Sequence, residues 1–326
     1  MTEKQQVELS VIACTRNRAK QLATLFQCLG TQQNIENIRW EIVIVDNNST
    51  DNTKEVAYAF CEGSNLKVNY LFEGKTGLSY ARNSGVLASK GTYLLFTDDD
   101  VLIPKEFLSN VLFGVKENDE AHIFGFRILG DWQEGTKPPF WMTFKNPFGL
   151  SQSFLPIHDL GKEVLIYPNR YTKNPLGACF LVKKEVFEKL GPFREDLGAG
   201  SGSGLHEDSE FFWYALLNNF KILYWPYATL YHTVDLKRLR VSYLHKWYFN
   251  SGKSLYLIKN KGRLSKYKIS RVSISPWVKL FILFMLLPLT IPLLVIKRPF
   301  YISSLLARTL GEVKQAVSFT RLKNQL

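Results

Sequence analysis

Glu41-Ile42-Val43-Ile44-Val45-Asp46-Asn47-Asn48-Ser49-Thr50-Asp51 sets an unbroken β-branched run between carboxylates and follows it with a polar turn. Such a run suits a strand buried on both faces, as in a parallel sheet, and Ser49 or Thr50 can cap a helix carrying Val56, Ala57 and Phe60. The unit recurs along the chain. Upstream, Leu9–Ala13 is apolar, and Leu22, Leu25, Phe26 and Leu29 follow at helical spacing. Downstream, Val68–Phe72 precedes a helical stretch over 77–88, and Tyr93–Thr97 runs into Asp98-Asp99-Asp100. Strands alternating with helices predict an α/β fold, a Rossmann-like, mostly parallel sheet flanked by helices on both faces. Ligands in such sheets sit beyond the carboxyl ends of the strands, where Thr15, Asp46 and the Asp98–Asp100 triplet all fall. No GxGxxG or GxxxxGK[ST] stands at these turns, which argues against a dinucleotide dehydrogenase and a P-loop NTPase.

The 326 residues are 46% hydrophobic and 21% charged, which excludes disorder, collagen and a polytopic membrane protein as descriptions of the whole chain. The net charge of +12 is concentrated at one end. Between Asp235 and Glu312 stand fifteen Lys and Arg with no carboxylate, whereas the body before Asp235 is mildly acidic. The same region holds Trp277–Ile296, uncharged except for Lys279 and as a helix long enough for about 30 Å of hydrocarbon. A basic, aromatic segment beside an apolar one predicts membrane attachment rather than nucleic-acid binding, as nothing resembling an RNP sequence or a zinc knuckle is present. Pro288 and Pro292 leave a tilted span, a re-entrant hairpin and an in-plane anchor all open, beside a plain buried helix, and residues 300–319 read as an amphipathic surface helix. Cys14, Cys28, Cys61 and Cys179 are scattered without CxxC spacing, so neither a disulfide framework nor a zinc site is expected. The polar start lacks the apolar core of a secretory signal, which puts the expected location at the cytosolic face of the cell membrane.

Three carboxylates in a row at the end of an apolar strand repel one another unless a cation joins them. Oxygen ligands of this kind suit Mg²⁺ or Mn²⁺, and an acidic turn capping the next helix is the plain alternative. His206-Glu207-Asp208 follows a glycine-rich turn and opens a helix over about 208–219. Carboxylates there cap a helix, or else serve as a general base at a loop edge. HExxH is absent, so a zincin is not supported.

The fragments SVIACTRNR (10–18), EIVIVDNNSTD (41–51), GLSYARNSGV (77–86), LLFTDDDV (94–101), GACFLVKKEVFEKLGPF (177–193), HEDSEFFW (206–213) and YWPYATLYH (224–232) occur in the order of a known family. From about Leu9 to His232 the chain resembles a family 2 glycosyltransferase of the GT-A fold. The resemblance implies sugar transfer from a nucleotide-diphosphate sugar with inversion at the anomeric carbon. It also implies a catalytic domain over 1–235, with a nucleotide-sugar half at 1–127 and an acceptor half at 128–235, followed by a helical membrane tail at 236–326. By the same resemblance Thr15, Arg16, Asp46, Asn48, Arg82, Asn83 and Asp98 contact the nucleotide sugar. Asp98, Asp100 and His232 hold the metal, Asp208 is the general base, and Glu207 positions the acceptor, which is a glycan or a lipid-linked hydroxyl. The pattern departs at Cys179, where a polar residue is expected, and it lacks the QxxRW of processive synthases, of which Leu244-His245-Lys246-Trp247 is only a faint echo. One sugar per encounter is therefore expected. Two rival readings are a polyprenyl-phosphate sugar transferase and a non-catalytic nucleotide-sugar binder at the membrane.

Overall fold

The structure, a computed structural model, describes residues 8–132, 136, 154–168, 174–267, 275–281 and 301–323. The repeating apolar runs form the strands β1 (Leu9–Thr15), β2 (Trp40–Asp46), β3 (Val68–Phe72) and β4 (Tyr93–Thr97). The helices α1 (Ala19–Gly30), α2 (Thr53–Gly63) and α3 (Leu78–Ala88) connect them, and β1 pairs in parallel with both β2 and β4. The chain continues through β5 (Val101–Leu102), α4 (Phe107–Glu117), β6 (Ile123–Asp131), β7 (Leu165–Ile166), β8 (Cys179–Lys183), α5 (Lys184–Leu190), α6 (Glu207–Leu217) and β9 (Ile222–Thr233). Among the described residues the sheet order is β3-β2-β1-β4-β8-β6-β9-β5, with β7 added on β9.

The first four strands are all parallel, as expected, whereas the later ones make the sheet mixed. β8 runs antiparallel to β4 and to β6, and β9 runs antiparallel to β5 and β7 while parallel to β6. A short helical crossover forces the next strand to be parallel, whereas the long excursion before β8 carries no such constraint. Arg127 and Ile128, on either side of the expected boundary, both lie in β6.

Alternation along the strands assigns each side chain to a face. Val11, Ala13, Ile42 and Ile44 pack with Leu22, Leu25 and Phe26 of α1, Ala57 of α2, and Phe107 and Val111 of α4. Ile12, Val43, Val45 and Phe96 pack on the opposite face with Ala81 of α3, Val186 and Phe187 of α5, and Phe211 and Phe212 of α6. A one-residue slip would exchange the two sets, so the register that carries the site is strongly specified.

The chain divides into two units, one comprising Met1–Gln133, Pro156–Glu195 and Glu207–Val234, the other Glu134–Leu155, Asp196–His206 and Asp235–Leu326. In the second unit the basic, aromatic stretch forms a 3₁₀ turn (Leu236–Leu239) and α7 (Val241–Asn260), and the expected C-terminal helix is α8 (Tyr301–Lys323). A Cβ on Gly252 would lie 1.8 Å from the Arg308 carbonyl oxygen, and one on Gly311 would lie 1.9 Å from that of Phe249. The two helices thus meet backbone to backbone, at positions that admit no side chain. His245 Nε2 and Ser303 Oγ, 2.8 Å apart, join the same two helices, and Lys279 pairs with Glu312 of α8 at 2.8 Å. Among the described residues no helix is long and apolar enough to cross a membrane. The Trp277–Ile296 run lies outside the described residues from 282 onward.

Candidate active site

β1 and β2 end level with one another, with Thr15 opposite Asp46, and the Asn47 amide donates to the Thr15 carbonyl at 2.8 Å. Both strands then turn sharply through asparagines in the left-handed region, Asn17 (φ 52°) and Asn48 (φ 60°), a conformation that Asn tolerates better than most residues. Asn17 cross-links the two turns: its amide N–H donates to Ser49 Oγ at 2.9 Å, and its side-chain oxygen accepts from the Thr50 amide at 2.7 Å. The Asp46 carboxylate is buried and accepts from the Ser49 amide and the Tyr70 hydroxyl, both at 2.9 Å. Burial, with Asp46 adding to it, pushes the Tyr70 phenol well above its ordinary value. Asn48 donates to Thr76 Oγ1 at 3.3 Å.

β4 delivers the aspartate triplet. Asp98, Asp100 and His232 each bring one ligand atom within 4.8 Å of the others, β9 supplying the histidine from across the Val101–His232 pair. His232 Nε2 lies 3.0 Å from Asp100 Oδ1 and 3.9 Å from Asp98 Oδ2. The His232 Nδ1 stands 3.0 Å from the Thr233 carbonyl, a contact that assigns the Nδ1 proton and turns Nε2 toward the carboxylates. Burial alone would lower this imidazole, but the two aspartates outweigh it and raise it to about 9. Two carboxylates and one imidazole form an oxygen-rich donor set that fits Mg²⁺ or Mn²⁺.

Asp99 is not among these three ligand groups, but it is not idle. It is buried and receives Arg18 Nη1 at 2.7 Å, and the same nitrogen lies 2.9 Å from Asp100 Oδ2. Burial raises Asp99 to about 6, with Arg18 opposing the shift. The left-handed turn at Asn17 decides which arginine reaches the triplet: Arg16, the residue singled out in the sequence, is exposed. Arg18 was legible only as a second arginine after the same strand.

Arg82 on α3 is buried, and its guanidinium is engaged by protein groups. Nη1 pairs with Glu207 Oε1 at 2.7 Å, and Nη2 donates to the Gly177 carbonyl at 2.8 Å and lies 3.8 Å from Asp98 Oδ1. It also lies over the Phe180 and Phe193 rings at 5.6 and 5.7 Å. The structure therefore makes Arg82 the link between the triplet and the Glu207-Asp208 pair. Asn83, expected beside the nucleotide, spends both ends of its amide on Phe193, donating to its carbonyl at 3.0 Å and accepting from its N–H at 2.9 Å. Phe193 is thereby held against Arg82 and the core.

Glu207 and Asp208 open α6, where carboxylates favour the unpaired N–H groups of the first turn. Burial, and then the neighbouring Asp208 charge, raises Glu207 to about 7 against the pull of Arg82. Asp208 Oδ1 accepts from the Ser209 amide at 2.6 Å, while Oδ2 lies where a Cβ on Gly177 would come within 2.4 Å. Gly177 is thus the residue whose missing side chain lets the Asp208 carboxylate in, a requirement that no sequence pattern announces. Cys179 is fully buried in β8 opposite Thr97, and burial pushes its thiol far up, so the departure there is a core substitution.

The sequence matches the model of glycosyl transferase family 2 over residues 10–191. The chain belongs to that family. The match takes in Arg18, Arg82, the Asp98–Asp100 triplet and Gly177. The glycosyltransferase GlyG of Streptococcus pneumoniae is 31% identical over 128 residues, 39% of this chain and 41% of GlyG. The poly(ribitol-phosphate) beta-N-acetylglucosaminyltransferase TarS of Staphylococcus aureus is 31% identical over 112 residues, 34% of this chain and 19% of TarS. The match thus spans less than half the length of either relative. Among solved structures, the mannosyltransferase PcManGT from Pyrobaculum calidifontis, in complex with GDP-Man and Mn²⁺, superposes with a TM-score of 0.61 at 17% identity, covering 96% of this chain and 88% of that one. At that identity the likeness is one of fold, the GT-A arrangement expected for the family.

Proposed function

We propose that this glycosyltransferase moves one sugar from a nucleoside-diphosphate sugar to a hydroxyl of a glycan or lipid-linked acceptor, with inversion. The reading is carried by one observation: Asp98, Asp100 and His232 gather at one strand end, and Arg82 ties that group to Glu207, the neighbour of Asp208. Solved relatives hold GDP-Man with Mn²⁺ and UDP-GlcNAc, and the same donor class is assigned to this chain.

Thr15, Asp46 and Asn48 line the ends of β1 and β2 for the base and ribose. Arg16 is exposed at the same edge, and Asp98 stands at the ribose and diphosphate. Asp98, Asp100 and His232 would hold a divalent cation, which when bound would offset the charge growing on the leaving diphosphate. Asp208 accepts the proton of the acceptor hydroxyl, whose oxygen attacks the anomeric carbon as the bond to the diphosphate breaks. The proton ends on Asp208 and the electron pair leaves with the nucleoside diphosphate. No enzyme nucleophile is needed, so a single displacement inverts the centre. Glu207, fixed by Arg82, holds the start of α6 and hence the Asp208 backbone beside the acceptor.

The exposed Trp277, Val278 and Phe281, set among basic residues, support attachment of the second unit to the cytosolic face of a membrane. The deciding experiment is a donor panel with Mn²⁺ or Mg²⁺, scoring nucleoside-diphosphate release with and without cell-envelope lipid extract. Asp208→Asn is expected to bind donor normally and lose transfer by 2–3 orders of magnitude, the usual worth of a general base, about 100- to 1,000-fold. Unchanged turnover rejects its role.

A further inference from the structure

Arg18 sits at the start of α1, where its amide donates to Thr53 Oγ1 at 3.3 Å, and its Nη1 touches carboxylates of both Asp99 and Asp100. Asp99 is 3% exposed and Asp100 17%, so two shielded anions share one guanidinium nitrogen. Arg18 takes Asp100 by Oδ2, while His232 stands on Oδ1 of the same group. A guanidinium is charged at every accessible pH, so this is a permanent positive charge inside the cluster that the proposed function assigns to a divalent ion.

We propose that Arg18 is a resident counter-cation of Asp99 and Asp100, and that it keeps the affinity for a free divalent cation low. Against the three carboxylates stand Arg18 and, 3.8 Å from Asp98, Arg82, so the triplet presents about one net negative charge, which a divalent ion more than balances. A diphosphate adds further negative charge, so the cation is held firmly when donor is present and let go when the nucleoside diphosphate leaves. Arg18 is a positioning and charge-setting residue rather than a metal ligand. One unit of charge about 6 Å from a divalent ion changes its affinity roughly tenfold even at the dielectric constant of water.

This inference rests on the metal reading above, and titration calorimetry of Mn²⁺ into the purified full chain without donor separates the two. Wild type is expected to bind Mn²⁺ weakly, and more tightly with UDP or GDP present. Arg18→Met is expected to bind free Mn²⁺ about tenfold more tightly, Arg18→Lys to match wild type, and Asp99→Asn to bind about tenfold more weakly. The sign is decisive, because an arginine that merely orients Asp100 would make both Arg18 variants bind more weakly. That outcome, or an unchanged Arg18→Met, overturns the proposal. Should Arg18→Met fail to fold, an Asp99→Asn protein that binds Mn²⁺ as well as Arg18→Lys overturns it equally. Wild type that binds no Mn²⁺ with or without nucleotide instead rejects the metal reading itself.

Discussion

Replacing Gly177 by alanine tests whether Asp208 is placed as the reaction needs. The new Cβ would lie 2.4 Å from Asp208 Oδ2, 3.0 Å from its Cγ and 3.2 Å from its Cβ. Ordinary carbon–oxygen contact begins near 3.4 Å, so the carboxylate must retreat by about 1 Å, and a misplacement of that size costs about 100-fold in rate. The Gly177 carbonyl is tied to Arg82 at 2.8 Å, which resists a compensating shift of the loop. Gly177 is absent from the positive-φ residues, so alanine fits its backbone and the fold is expected to survive. The assay is steady-state nucleoside-diphosphate release at saturating donor with envelope extract as acceptor, beside equilibrium binding of the donor. The expected result is a kcat lowered by about 100-fold with donor affinity within about twofold of wild type. In an Asp208→Ala background the same change is expected to cost nothing more, since the group it displaces is gone. A Gly177→Ala enzyme with wild-type kcat refutes the placement of the base, and an additive double mutant refutes the mechanism of the loss.

Glu207 is expected to give the pH profile an acid limb near pH 7: burial raises it to about 7, so a proton binds there as pH falls through neutrality and activity drops. A profile flat down to pH 5 contradicts this. In stability the sign is opposite, because a carboxyl raised on folding favours the folded state at low pH and loses that advantage as pH rises toward 7. In the second unit, Gly252→Ala forces the Arg308 carbonyl away from a Cβ at 1.8 Å and should destabilise the α7–α8 pair by about 1–3 kcal/mol, read as early proteolysis of the tail. Gly30→Ala, whose Cβ meets nothing within 4 Å, is the control and should leave protease resistance unchanged or improved.

The sequence by itself determined the layered α/β core and the strand ends at Thr15, Asp46 and Asp98. Fully apolar runs separated by helical spacing admit few other arrangements, and each strand end is local to its own run. It also marked the family, because ordered fragments such as TDDDV and HEDSEFFW survive as strings. Only tertiary structure decided that β8 enters antiparallel, that Arg18 rather than Arg16 meets the triplet, that Asn83 serves Phe193, and that Gly177 makes room for Asp208. Each of these depends on groups many residues apart meeting at a few ångströms. Side-chain direction after a left-handed turn, and the space beside a distant carboxylate, leave no periodic trace in the chain that encodes them.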